Sequence, residues 1–435
     1  MVKIKPFRAT VLNPELQDKE NLICPVYDTI DSAGFGRYSK YRNNVIHFTT
    51  RRDDMYEKDF LDYAKKSLDR LFSEGVLKEM DEPAIYIYGI RYNLTDEMLE
   101  QLPKGDRREM YFIFGLVVLV KVDELGKDSI VGHEKIFEVN TRERYDLMKR
   151  CDMNFSPILA EYSMPGHEIN NIFEDYLGFK RPDLKLSEDK MPVLDVMLDG
   201  SRHLLWKVSE YEIIKRVQEL IHYKEIMILD GHHRYTASDS LRKNDGVGYT
   251  MMMLVEGGDR ALLLLPWHRC VKDCDTKGMW KRIKEDFVVE SYDRTEVKKI
   301  HSRLSRREAG YVVKIGMYDG EKTYILKLPT EKVEEIKEER GEKIGLDLII
   351  LHEWLINPFL IGEEAHDVVF SPLPSEVTDK VDKEGYKIAF IVNPLSIADV
   401  EDKAHRERRN FPQKSTRFLP KVAEGIIMRR LSTDG

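Results

Sequence analysis

The sequence is poor in cysteine, with four residues in a chain of 435. Cys24, Cys151, Cys270 and Cys274 are too few and too scattered for a disulfide framework. The last two are four positions apart, but no second pair completes a zinc site around them. The thiols are therefore expected to be reduced, as is usual in the cytoplasm.

Long apolar segments are also missing, and the longest such run, residues 113–120, has the length of a strand. The sequence shows no signal-peptide pattern. The formal net charge is −8, and no basic tract alternates with aromatic residues. These absences predict a soluble cytoplasmic protein that binds neither a membrane nor nucleic acid.

The length exceeds that of one ordinary domain, and a hydrophobic content of 42% is enough for several cores. The order of apolar periodicities predicts three α/β regions, at residues 1–127, 128–275 and 276–435. No internal repeat or low-complexity segment is present. A homo-oligomer is compatible with this composition.

Helices and strands alternate in the first and third regions. In the first, apolar spacing predicts a helix within 56–77, strands at 85–91 and 111–122, and a short helix at 94–102. In the third, strands at 311–317 and 323–328 flank Asp319-Gly320, which is typical of a hairpin. A charged helix at 331–339 and a buried strand at 387–392 follow.

The second region is predicted to contain a small mixed sheet with packed helices. Ser209 and Glu212 form a capping-box pattern at the start of a helix over 210–221. A strand at 226–229 and a second helix follow. Strands at 251–255 and 261–265 surround a Gly257-Gly258 turn.

The most informative segment is Asp230-Gly231-His232-His233-Arg234, between an apolar run and a helical pattern. The first turn of a helix has backbone N–H groups without intrahelical partners, and its dipole favours an anion. Arg234 adds a planar cation that suits phosphate oxygens. Asp230 can cap the helix or hold a metal ion. The alternative is an ordinary capped turn.

Two further segments contain candidate groups. His133-Glu134 follows a glycine, and its carboxylate could act as a general base, or the pair could belong to a surface loop. Trp267-His268-Arg269 ends a predicted strand, where ligands of α/β proteins often bind. A transition-metal site is a further alternative, but no known ligand spacing is present, and its candidates are His133, Glu134, His232, His233 and His268.

These motifs, in this order, resemble the free L-serine kinases, and in particular their longer members. The similar segments are residues 3–9, 24–28, 133–135, 230–234, 265–269 and 413–421. The resemblance to the long form covers nearly the whole chain. It implies a ParB/sulfiredoxin-like nucleotide-binding core between N-terminal and C-terminal α/β regions.

The resemblance also implies an activity: phosphoryl transfer from ATP or ADP to the hydroxyl of free L-serine, with Mg²⁺ on the nucleotide. The product, O-phospho-L-serine, is a natural precursor for cysteine synthesis. Glu134 then matches the catalytic base, and Asp230 the aspartate near the transferred phosphate. The phosphate-binding turn matches Gly231, His232, His233 and Arg234. The candidates for binding serine are His133, Trp267, His268, Arg269, Lys414, Ser415 and Thr416.

Two other functions remain open. One is a ParB-type switch, which binds and slowly hydrolyses a nucleotide. The other is a kinase that phosphorylates a different small alcohol. The negative net charge and the lack of a DNA-binding pattern count against the ParB-type switch.

Overall fold

The computed structural model describes residues 1–127, 129–134, 138–181, 184–306, 308–340, 347–361, 367–401 and 414–432. Lys135 and Gln413, which belong to the segments similar to serine kinases, lie outside these ranges. No helix within them is long and apolar enough to cross a membrane.

The strands are numbered along the chain. The first twelve are β1 Ile4–Lys5, β2 Thr10–Leu12, β3 Cys24–Pro25, β4 Leu77–Glu79, β5 Ile85–Tyr92, β6 Tyr111–Lys121, β7 Ile130–Val131, β8 Met153–Asn154, β9 Ile158–Tyr162, β10 Leu194–Leu198, β11 Ser201–Val208 and β12 Ile226–Asp230. The others are β13 Tyr249–Glu256, β14 Leu263–Leu265, β15 His268–Val271, β16 Val288–Asp293, β17 Tyr311–Tyr318, β18 Lys322–Pro329, β19 Val368–Ser371, β20 Ile388–Ile391, β21 Arg417–Leu419, β22 Ala423–Glu424 and β23 Arg429–Arg430.

The helices pack around these strands. The longer α-helices are Glu57–Ser73, Glu138–Cys151, Glu168–Leu177, Tyr211–Ile221, His232–Asp245, Thr276–Asp286, Thr330–Arg340 and Pro374–Lys383. The shorter helices are Ser32–Tyr38, Ile46–Thr49, Asp96–Gln101, Ile300–Leu304, Asp347–Ile350, Ile397–Glu401 and the π-helical turn Leu351–Ile356. Single turns of 3₁₀-helix include Lys19–Leu22, Tyr27–Thr29 and Lys104–Asp106.

A nine-stranded mixed sheet forms the centre of the fold, which is α/β as the sequence predicts. Its order is β10-β11-β5-β6-β13-β9-β12-β7, and β1 also pairs with β6. The β13–β9 and β12–β7 pairs are parallel. Strands from the first and second predicted regions, on either side of residue 127, pair in this sheet. The division of the chain into three regions stays a prediction.

Both faces of the central sheet are buried, as the apolar run in β6 requires. Tyr111, Ile113 and Val117 pack into one hydrophobic cluster. Phe112 and Phe114, which alternate with them, pack into a second cluster on the opposite face. Because successive side chains of a strand point to opposite faces, a continuous apolar strand must be covered on both sides.

A six-stranded antiparallel sheet forms a second layer, in the order β16-β18-β17-β20-β15-β19. The predicted hairpin around Asp319-Gly320 is confirmed as β17 and β18. Gly320 has a φ of 89°, a left-handed value that glycine adopts without strain. This sheet positions β15, which begins one residue after Trp267.

The C-terminal tail pairs with three strands that lie far apart in the preceding chain. Its strand β21 pairs with β14, β22 with β3, and β23 with β8. Phe418, Ile427 and Met428 are buried in the large cluster on one face of the central sheet. The tail is therefore part of the core, and residues 414–416 are fixed close to it.

The strands predicted at 251–255 and 261–265, around the Gly257-Gly258 turn, are observed as β13 and β14, and β14 pairs with the distant β21. One local prediction is wrong, because the predicted capping box is absent. Glu210 is the N-cap of helix Tyr211–Ile221, and the backbone N–H of Ser209 donates to the Glu210 carboxylate instead.

The contribution of burial in the central sheet to stability can be tested with one matched pair of methionines. Met252 on β13 is fully buried, whereas Met197 on β10 is 46% exposed. Met252→Ala should lower the free energy of unfolding by about 2–5 kcal/mol, because it leaves a cavity. Met197→Ala should change it by less than about 0.5 kcal/mol. Urea unfolding followed by circular dichroism measures both, and equal losses would contradict this account of the core.

Candidate functional site

The strand–glycine–helix geometry predicted around Asp230 is confirmed. Strand β12 ends at Asp230, Gly231 has a φ of 96°, and the helix begins at His232. A Cβ at Gly231 would lie 2.8 Å from Nη2 of Arg234, so both the backbone and the space favour glycine. Asp230 does not cap this helix. Gly231 is the N-cap, and no side chain accepts a capping hydrogen bond.

Asp230 is held between two cations. Its Oδ2 accepts a hydrogen bond from Nη2 of Arg234 at 2.8 Å, and its Oδ1 is paired with the ammonium of Lys421. Burial alone would raise the pKa of Asp230, but Lys421 and Arg234 hold it well below the ordinary value. Asp230 is thus ionised at neutral pH. Lys421 was not predicted as a site residue, although it lies in a segment similar to the serine kinases.

Arg234 is buried and donates to several protein oxygens. Its Nη1 donates to the Ser156 hydroxyl at 2.9 Å and to the Pro157 carbonyl at 2.7 Å. The Ser156 hydroxyl in turn donates to Oε1 of Glu424 at 3.0 Å. The guanidinium therefore joins the helix to the segment before β9 and, through Ser156, to the tail. Its predicted contact with phosphate stays a prediction.

A second cluster forms around Glu134. The Thr416 hydroxyl lies 3.0 Å from Oε1 of Glu134 and 2.8 Å from Nε2 of His133. The backbone N–H of His133 donates to Nε2 of His232 at 3.2 Å. A neutral imidazole that accepts at Nε2 has its proton on Nδ1, and that atom is 4.0 Å from Oε2 of Glu134. Residues from three distant segments thus surround one carboxylate.

The surroundings of Glu134 suit proton transfer near neutral pH. Burial raises the pKa of Glu134 to about 7, against the opposing effects of the Thr416 hydroxyl and of Lys414 and Lys421. Burial and the neighbouring His133 keep the pKa of His232 well below its ordinary value, so that ring stays neutral. A carboxyl group with a pKa close to the working pH is the preferred general base.

The segment with Lys414 and Thr416 is fixed by Trp267 and Arg269. The Trp267 indole donates to the Thr416 carbonyl at 3.0 Å, and Nη2 of Arg269 donates to the Lys414 carbonyl at 3.0 Å. The Lys414 ammonium lies 5.0 Å from the centre of the Trp267 ring, a cation–π contact. Arg269 is fully buried, so its observed role is to hold the tail.

The other predicted site residues lie in different surroundings. His233 is half-buried, with Nδ1 3.4 Å from the Thr141 hydroxyl. Ser415 is buried. His268 is also buried, and it contacts the backbone N–H of Val392 and the ring of His301, on the side of the six-stranded sheet. The structure thus brings Glu134, His133, His232 and Thr416 together, and places His268 outside this cluster.

In the ranges that the structure describes, no group of three or more His, Cys, Asp or Glu side chains could hold a metal ion. Both oxygens of Asp230 are engaged by cations, and Oε1 of Glu134 accepts from Thr416. A Mg²⁺ ion at this site would therefore have to be held mainly by the phosphates of a bound nucleotide.

A family described as "Protein of unknown function (DUF1015)" matches residues 4–348. The chain belongs to this family. A search of curated proteins finds no match.

Several solved structures show a distant similarity. A free serine kinase in complex with AMP is 12% identical with a TM-score of 0.34, covering 70% of this chain and 87% of its own. A conserved hypothetical protein from Pyrococcus furiosus is 14% identical with a TM-score of 0.35, covering 73% and 96%. SbnI from Staphylococcus aureus, with a C-terminal truncation, is 15% identical with a TM-score of 0.34, covering 71% and 85%.

The effect of Thr416 on Glu134 can be measured directly. Thr416→Val removes the hydroxyl that stabilises the ionised carboxylate, so the pKa of Glu134 should rise further above about 7. Thr416→Ser keeps the donor and should leave the pKa near its original value. Carbon NMR of glutamate-labelled protein, assigned with Glu134→Gln, reads out both. An unchanged pKa in Thr416→Val would show that this hydrogen bond does not form.

Proposed function

We propose that this protein is a kinase of free L-serine, which transfers a phosphoryl group from ATP or ADP and gives O-phospho-L-serine. The main support is one observation. A carboxyl group with a pKa near 7, on Glu134, lies 4.0 Å from Nδ1 of His232, the first residue of a helix that follows a strand–glycine turn. A proton acceptor thus lies beside a helix N-terminus, where a phosphate group would bind.

The phosphate groups of the nucleotide would bind at the start of helix His232–Asp245. The backbone N–H groups of the first helical turn have no intrahelical partner, and the helix dipole is positive there. Lys421 and Lys414, both partly exposed, add positive charge next to Glu134, since both lower its pKa. Phosphoryl transfer depends mostly on positioning and charge neutralisation, which such a site supplies.

Glu134 would accept the proton of the serine hydroxyl. As the serine oxygen bonds to the transferred phosphorus, the bond from that phosphorus to the nucleotide oxygen breaks, and the proton moves to Glu134. The neutral His232 and the Thr416 hydroxyl would keep the carboxylate in place. Bound Mg²⁺ would neutralise phosphate charge. Activity should therefore rise with pH through about 7, as Glu134 loses its proton.

Free serine needs a cation for its carboxylate and an acceptor for its ammonium. Lys414 is the best candidate for the cation, because its ammonium lies over Trp267 and acts on Glu134. The backbone and side chains of Ser415 and Thr416 are candidates for further contacts. Trp267 and Arg269 would act indirectly, by fixing this segment. His133 would act through its contact with Thr416.

The decisive experiment is phosphorus NMR of the purified protein with Mg²⁺, L-serine and either ATP or ADP. A phosphoserine resonance that requires serine and appears with one donor would support the proposal and identify that donor. Nucleotide hydrolysis at the same rate without serine would overturn it in favour of a nucleotide-hydrolysing switch. A phosphorylated product from another small alcohol, but none from serine, would show that serine is not the acceptor.

Glu134→Gln keeps the size of the side chain and removes only the base. We expect kcat to fall by about 10²-fold or more, with little change in the KM for serine or in nucleotide affinity. Glu124→Gln, at an exposed residue paired with Lys127, is the matched control and should keep normal turnover. A Glu134→Gln enzyme with near-normal kcat would rule out the assignment of the base.

Lys421→Met tests the charge beside Asp230. We expect nucleotide affinity to fall by on the order of tenfold or more, because a cation near the phosphates is lost and the Asp230 carboxylate loses one of the two ion-pair partners that the described residues give it. Lys421→Arg keeps the charge and should retain most of the affinity. Calorimetry with ADP measures both variants. If Lys421→Met bound ADP as tightly as the unmodified protein, the phosphate site would lie elsewhere.

A further inference from the structure

A second cleft lies between residues 100–107 and the segment around helix Ile300–Leu304. Its volume is about 810 Å³. Pockets that bind small molecules typically have volumes of about 300–1,000 Å³. None of the described residues that line it belongs to the Glu134 cluster or to the Asp230 ion pairs. The cleft is therefore a separate candidate site.

The lining of this cleft has an excess of positive charge. Lys104, Arg107 and Arg306 line it, and none of them forms an ion pair with any residue in the described ranges. Among the residues that the structure describes, Arg107 donates to the backbone carbonyls of Leu102 and Glu100, at 3.0 Å each, so its position is fixed without neutralising its charge. Three cations in one concave surface favour an anion.

Two acidic side chains and one further cation also line the cleft. Burial raises the pKa of Asp347 to about 7, so it is only partly ionised at neutral pH. Glu100 is exposed at the rim. Lys314 is neutralised by Glu308, at 3.2 Å. These groups leave the positive charge of the cleft in excess.

Two buried polar atoms of the cleft lack partners. Gln101 is 4% exposed; its Nε2 donates to the Pro372 carbonyl at 2.9 Å, whereas its Oε1 accepts no hydrogen bond within the described part of the chain. His301 is 8% exposed, and its Nε2 likewise has no partner there. A buried polar atom without a partner costs about 1–3 kcal/mol. Both atoms are closed to solvent, so the exposed cations Lys104, Arg107 and Arg306 are the groups that a ligand in the cleft can reach.

We propose that this cleft binds a small organic anion. Its phosphate or carboxylate groups would bind the exposed cations of Lys104, Arg107 and Arg306. His301 lines the same cleft, so its imidazole signals would report a bound ligand. This site is independent of the proposed kinase activity, so each can fail without the other.

Imidazole NMR tests the site, since the chain has only 12 histidines. The ¹⁵N-labelled protein is titrated separately with citrate and with glycerol 3-phosphate. A saturable shift of the His301 signals, assigned with His301→Gln, supports the proposal. A response to citrate alone identifies a carboxylate ligand, and a response to glycerol 3-phosphate alone identifies a phosphate. His133, His232 and His233 report on the proposed nucleotide site in the same spectra.

Charge removal provides the second test. Lys104→Gln and Arg306→Gln, at exposed residues whose loss should spare the fold, are each expected to weaken binding by on the order of tenfold or more. Gln101→Glu should weaken it too, because the new carboxylate repels the anion. Arg216→Gln, at an exposed position on another helix, is the control and should have no effect. The proposal is overturned if neither probe shifts His301 at millimolar concentration, or if the shifts persist unchanged in Lys104→Gln and Arg306→Gln.

Discussion

The buried carboxylate of Asp230 is the constraint on which the site depends. An ionised carboxylate in a protein interior is very unfavourable unless cations and hydrogen bonds compensate it. Here the two cations come from positions 4 and 191 residues away, on Arg234 and Lys421. The first ties β12 to the helix that follows it, and the second ties β12 to the C-terminal tail. Because Arg234 and Lys421 both pair with the Asp230 carboxylate, they join the central sheet to the helix and to the tail at the site.

The same arrangement gives the carboxyl groups of Asp230 and Glu134 different pKa values. Asp230 faces two cations directly and stays ionised, whereas Glu134 is buried beside the Thr416 hydroxyl, and its pKa rises to about 7. When neighbouring acids have pKa values pushed apart in this way, they are suited to different tasks. Asp230 then orders the turn, and Glu134 can exchange a proton. This division supports the proposal that Glu134 is a base next to a fixed turn that would bind phosphate.

The parts of the fold that could be predicted from sequence are those determined locally. The apolar run before Asp230, the left-handed glycine and the helical pattern after it lie within one segment, and so do the hairpin strands around Asp319-Gly320. The pairing of β14 with β21 has no local signal, because more than 150 residues separate the two strands. For the same reason Lys421 was missed as a partner of Asp230, since a lysine in a basic tail looks like any solvated charge.

The six-stranded sheet has a structural part in the site, although its strands contribute no group to the Glu134 cluster. Arg269, on β15, holds the Lys414 carbonyl, and Trp267, just before that strand, holds the Thr416 carbonyl. The Thr416 hydroxyl then reaches both Glu134 and His133. Since a hydrogen bond positions its partner only if its own donor is fixed, the environment of Glu134 depends on how β15 is packed. The site is therefore complete only when both sheets and the returning tail are folded together.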